Sequence, residues 1–105
     1  MNLNELQDEI QAWQIQNWGE ADSTSVWVAA TKLMEEVGEL ANTLTHGESP
    51  SVVKTEVADV IISAIAVALR AGCVGEDNVD DAVTEKWAIV RVRDPHRRHQ
   101  PRSSQ

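Results

Sequence analysis

Apolar residues recur along this chain at steps of three and four, the repeat of one face of an α-helix. Leu3, Leu6, Ile10 and Trp13 form the first such stripe and predict a helix from about Leu3 to Trp18. Asn2 or Asn4 can cap its start, and Gly19 ends it. Small and acidic residues from Gly19 to Ser25 make a loop. A second helix, capped by Thr24 or Ser25, is predicted to run to Thr45. Its inward stripe is Val26, Ala30, Leu33, Val37, Leu40 and Leu44. Gly38 falls mid-helix at a cost of up to about 1 kcal/mol relative to Ala, which suggests that a partner helix or bound group approaches the backbone there. After the stop at His46 to Pro50, a third helix starts at Ser49 or Ser51 and ends near Ala71-Gly72. From Val57 to Leu69 it is apolar almost all round, apart from Asp59 and Ser63. A fourth helix, capped by Asp77 or Asn78, carries Val79, Val83, Trp87 and Val90 and fades near Arg93. No strand-like alternation or hairpin signal is present. The predicted fold is all-α, four helices with short loops, in one domain over residues 1–94.

Size sharpens this picture. A chain of 105 residues buries only about two-thirds of its unfolded surface. A third helix apolar on more than one side needs more cover than so small a domain supplies, so a homo-oligomer is expected. Trp13 and Trp87 lie on apolar stripes and read as core, while Trp27 is open between core, interface and base platform. Cys73 has no partner for an internal disulfide and no His or Asn constellation for catalysis. The polar, acidic start is unlike a signal peptide, and the longest uncharged apolar run, Val60 to Leu69, is about half a bilayer span. The expected setting is cytoplasmic, with no membrane.

Charge is uneven. Residues 1–90 hold 16 acidic and 4 basic side chains, whereas residues 91–105 hold five Arg and one Asp. An acidic body argues against general nucleic-acid binding. The basic tail, residues 95–105, reads as a flexible or partner-dependent segment. It is open to nucleic-acid contact, to lying on the acidic body, or to staying solvated.

Two acidic clusters carry the candidate chemistry: Glu35, Glu36 and Glu39 on the second helix, Glu56 and Asp59 on the third. Glu36 and Glu39 share a face by their spacing, and so do Glu56 and Asp59. Side by side, the two helices bring four carboxylates together. Buried charges are tolerated when paired or metal-bound, and oxygen ligands without His or Cys suit Mg²⁺, Mn²⁺ or Ca²⁺. The bland alternative is a solvated face with Lys32 paired to Glu36 four residues on. The apolar third helix weighs against it, because Asp59 has few routes to water there.

Glu-Glu-x-x-Glu, sixteen residues, then Glu-x-x-Asp, framed by Lys32-Leu33, Gly38-Glu39-Leu40 and Ala58-Asp59-Val60, resembles the MazG-like family of all-α nucleoside triphosphate pyrophosphohydrolases. The resemblance covers about residues 10 to 93. It implies a four-helix unit that forms dimers or tetramers. It also implies Mg²⁺-dependent hydrolysis of (deoxy)nucleoside triphosphates to monophosphate and pyrophosphate, clearing non-canonical or excess nucleotides, with Mn²⁺ a possible substitute. Glu36, Glu39, Glu56 and Asp59 carry over as metal ligands. Glu35 completes the metal site, orients a water or pairs with Lys32. Phosphoryl transfer needs charge neutralisation and alignment more than covalent help, which suits such a residue set. More loosely, the resemblance implies substrate contacts from Trp18, which resembles a base-stacking aromatic, and from Lys32, His46, Lys86 and Arg93. Val90 stands where the family often has Asn between those last two positions. The bland reading of His46 is a helix-end residue favoured by the dipole. Two alternatives to this function are a non-catalytic helical interaction module and a pyrophosphohydrolase for a specialised metabolite such as phosphoribosyl-ATP.

Overall fold

A computed structural model describes residues 1–93; the Arg-rich tail, residues 95–105, lies outside the described residues. Four α-helices and no strand make up the described chain: α1 (Leu3–Trp18), α2 (Ser23–Thr45), α3 (Pro50–Arg70) and α4 (Val79–Val90). A 3₁₀ turn at Gly75–Asp77 precedes α4. The all-α expectation is met.

The helix ends follow local chemistry. The Asn2 side-chain oxygen accepts from the Glu5 N–H at 2.8 Å and starts α1. Gly19, at φ +76°, ends it in a conformation that side-chain-bearing residues rarely adopt. The α2 cap is Asp22, not Thr24 or Ser25. Its Oδ1 accepts from both of their backbone N–H groups, and the Ser25 hydroxyl closes a capping box. A carboxylate outcompetes the hydroxyls because it accepts two bonds and favours the positive helix end. Pro50 opens α3, where its missing N–H costs nothing. Asn78 caps α4 through the Asp81 N–H at 2.9 Å.

α2 and α3 pack as a long hairpin, α1 crosses α3, and α4 packs chiefly on α1. The buried apolar core is small: Ile10, Ile65 and Leu69, with Leu3, Leu6 and Ala66 against it. Glutamines complete it. Gln14 Nε2 donates to the Ala66 carbonyl at 3.1 Å, and Gln7 Oε1 accepts from the Val79 N–H, tying α1 to the start of α4.

Several stripe residues expected inside are exposed in the single chain. Trp13 (53 %) and Trp87 (61 %) are surface residues, as are Val37, Leu44 and Val83. The buried Gln14 and Gln7 take the inward positions on α1 instead of Trp13. Leu3, Leu6 and Ile10 of the same stripe stay at the core. At Gly38 no other part of the chain comes within 4 Å of where a Cβ would stand, so no helix of the same chain makes the close approach there.

Candidate metal centre and nucleotide site

The α2–α3 hairpin brings three of the predicted carboxylates together. One oxygen each from Glu36, Glu56 and Asp59 lies within 4.8 Å of the others. Glu36 is buried, Glu56 half-buried and Asp59 exposed, so the cluster opens from the helix interface toward water. Glu36 Oε1 is paired with Lys32 Nζ at 2.9 Å. Glu36 Oε2 and Glu56 Oε2 are buried without a hydrogen-bond partner. Buried carboxylate oxygens without a partner are costly, and a cation held by the cluster would satisfy them. The donor set is all hard oxygen, the chemistry of Mg²⁺ or Mn²⁺.

Glu39 is exposed on the same side. Its carboxyl is raised above the ordinary value, first by the negative charge of Glu36, then by burial and by Glu56. The Lys32 ammonium is raised, chiefly by its hydrogen bond to Glu36. Glu35 remains on the exposed face, 4.0 Å from Lys32.

A pH effect follows from Glu39. Its folded pKa exceeds the unfolded value, so its contribution to stability is fully present below the ordinary value of 4.5 and lost as pH rises through the elevated one. In metal-free protein, thermal melts across this window are expected to show a smaller loss of stability for Glu39→Gln than for the wild type. Added Mg²⁺ should close the gap between the two.

The remaining predicted residues are spread wider. Trp18 ends α1, 65 % exposed, edge-to-face with Trp13 at 4.6 Å. His46 caps the far end of α2, its Nδ1 2.8 Å from the Asn42 carbonyl oxygen. Lys86 on α4 and Arg93 just beyond it are both exposed. None of these four is part of the carboxylate cluster.

A second feature was not read from the sequence. A cavity of about 290 Å³ lies where the end of α1, the start of α2 and the end of α3 meet. Gln14, Trp18, Asp22, Val28, Ala29 and Arg70 are among its lining residues. The signal was present in Arg70, a lone charge closing an apolar helix eleven residues after Asp59. That is about three turns, so both residues lie on one face of α3, about 16 Å apart along its axis.

The family model of the MazG nucleotide pyrophosphohydrolase domain matches residues 27–98. The chain belongs to the MazG family. The match covers α2 from Trp27 onward, α3 and α4, while α1 and its two tryptophans precede it. No curated protein and no solved structure matches the chain. Membership in the MazG family suggests a nucleotide pyrophosphohydrolase, of a kind that is typically metal-dependent. Among the described residues, no helix is long and apolar enough to cross a membrane.

Proposed function

We propose that this MazG-family chain is a Mg²⁺-dependent pyrophosphohydrolase, with Mn²⁺ able to substitute. It would convert (deoxy)nucleoside triphosphates to monophosphate and pyrophosphate and so remove non-canonical or surplus nucleotides. The observation that carries the reading is the pair of partnerless buried oxygens within the Glu36, Glu56 and Asp59 cluster.

Glu36, Glu56 and Asp59 would hold the cation, with Glu39 as the fourth carboxylate at the exposed edge. When bound, the ion neutralises phosphate charge and lowers the pKa of an attacking water. Lys32 balances the Glu36 charge in its absence and is then free to turn its ammonium to a phosphate oxygen. Glu35, on the exposed face beside Lys32, would orient a water or hold Lys32. Trp18 would supply the base platform, its exposed indole face suiting a stacked ring. His46, Lys86 and Arg93 are assigned to substrate contact from a neighbouring subunit.

The assembly belongs to the same proposal. Trp27 and Met34, seven residues apart on one face of α2, are both more than half exposed. Gly38 lies on their face with open space where its Cβ would stand. Val57, Ile61 and Ile62 add exposed apolar surface on α3. A second copy of this chain would cover these faces, with a helix approaching closely at Gly38. Gly38→Ala is expected to favour the isolated helix by up to about 1 kcal/mol yet weaken the oligomer. Analytical ultracentrifugation across a dilution series reads the second effect; unchanged self-association would remove Gly38 from the interface.

The function is tested by measuring pyrophosphate release from a panel of canonical and modified nucleoside triphosphates, with and without Mg²⁺. Metal-dependent release from a subset is expected. Silence across the panel from folded, metal-supplied protein would favour a non-catalytic helical module.

A further inference from the structure

Arg70 is a buried charge with one nitrogen left unpartnered, away from the carboxylate cluster. It is only 7 % exposed and lines the cavity between α1, α2 and α3. Its Nη1 donates to the Gly19 carbonyl at 2.9 Å, and its Nη2 is buried with no partner. A guanidinium stays charged at any physiological pH, so an unpaired buried N–H here calls for an acceptor.

The rest of the cavity says what kind of molecule brings that acceptor. Val28 and Ala29 give apolar wall, and the Trp18 indole stands at the rim, which suits a flat ring. The Asp22 carboxylate lines the same cavity and is held ionised, its pKa lowered first by the Ser25 and Thr24 backbone N–H groups. It offsets the Arg70 charge, so the cavity favours a neutral ring over a free anion. The cavity also shares a helix face with the carboxylate cluster. Arg70 stands about three turns from Asp59, and Ala29 about two turns from Glu36.

We propose that Arg70 is a specificity-determining residue that selects nucleotides whose base carries an exocyclic carbonyl oxygen, the 6-oxopurines and 4-oxopyrimidines, over their amino counterparts. This rests on the nucleotide reading of the site. The exocyclic group projects furthest from a ring that enters past Trp18, and Arg70 is the most buried charged group lining the cavity. An oxygen there accepts from Nη2 and satisfies it. An amino group sets N–H against N–H and leaves both unpaired. A site built to satisfy one buried donor rejects the isostere that cannot accept.

The test uses the full chain with Mg²⁺ and two isosteric pairs, inosine against adenosine 5′-monophosphate and uridine against cytidine 5′-monophosphate. Calorimetry is expected to show the oxo member of each pair binding on the order of tenfold more tightly or better. The Trp18 indole N–H resonance should shift on binding. Arg70→Lys, still a donor only, keeps the sign of the preference. Arg70→Gln, which can donate or accept, collapses it. Equal binding within both pairs, no binding at all, or a preference undiminished in Arg70→Gln overturns the assignment. Oxo-selective binding by a chain that releases no pyrophosphate leaves Arg70 in its role and sinks the hydrolase reading alone. Pyrophosphate release without base preference does the reverse.

Discussion

Asp59→Asn is expected to lower Mg²⁺-dependent pyrophosphate release about a thousandfold, equivalent to about 4 kcal/mol of transition-state stabilisation. The amide keeps the size of the side chain and its place on α3, but removes one of three negative charges clustered within 4.8 Å. Glu36→Gln should cost as much activity and behave differently in the absence of metal. Glu36 is 6 % exposed, with one oxygen on Lys32 and the other orphaned. Neutralising it removes repulsion toward Glu39, Glu56 and Asp59, while the Lys32 ammonium, on a 61 % exposed side chain, keeps its water. The metal-free melting temperature of Glu36→Gln should therefore match or exceed that of the wild type. A gain of about 1 kcal/mol corresponds to about 4–8 °C in a domain of this size. Inactivity together with retained or raised stability is the signature of a site kept for function at a cost in stability. A Glu36→Gln protein that melts well below the wild type would show that this carboxylate holds the hairpin together instead. Full turnover in Asp59→Asn would remove Asp59 from the metal site.

The second large effect concerns assembly. Trp27→Asp is expected to raise the dissociation constant of the homo-oligomer by about a thousandfold or more. Trp27 is 72 % exposed in the single chain. Burying one large apolar side chain contributes about 2–3 kcal/mol, and a two-fold interface counts the residue twice. The resulting loss of about 4–6 kcal/mol is three to four decades in affinity. Light scattering and sedimentation should show the wild type as a dimer or tetramer and the variant as a monomer at the same concentration. Turnover should fall with it where a neighbouring subunit supplies His46, Lys86 or Arg93 to the substrate. A wild type monomeric at high micromolar concentration would overturn this reading and leave the apolar stripes of α2 and α3 without an explanation.

The sequence by itself determined the helices and most of their ends. Three- and four-residue periodicity, Gly19 after Trp18, Asn78 before Val79 and Ser49 before α3 are local signals, acting within a turn or two of the chain. It also determined which carboxylates can share a face, because i, i+3 spacing on a helix is fixed by the backbone. The glutamates and Asp59 were therefore legible as a set before any fold was known. Tertiary structure decided which of them meet. The α2–α3 hairpin sets the register between two helices, and that register brings Glu36, Glu56 and Asp59 within reach while Glu35 stays outside with Lys32. It also decided that Trp13 and Trp87 are not core in the single chain, since a stripe on one helix does not say whether a neighbour covers it. The Arg70 cavity was out of reach of local reasoning for the same reason. Residues from α1, the α1–α2 loop, α2 and α3, far apart in sequence, line it, and only the packing of three helix ends makes it a cavity.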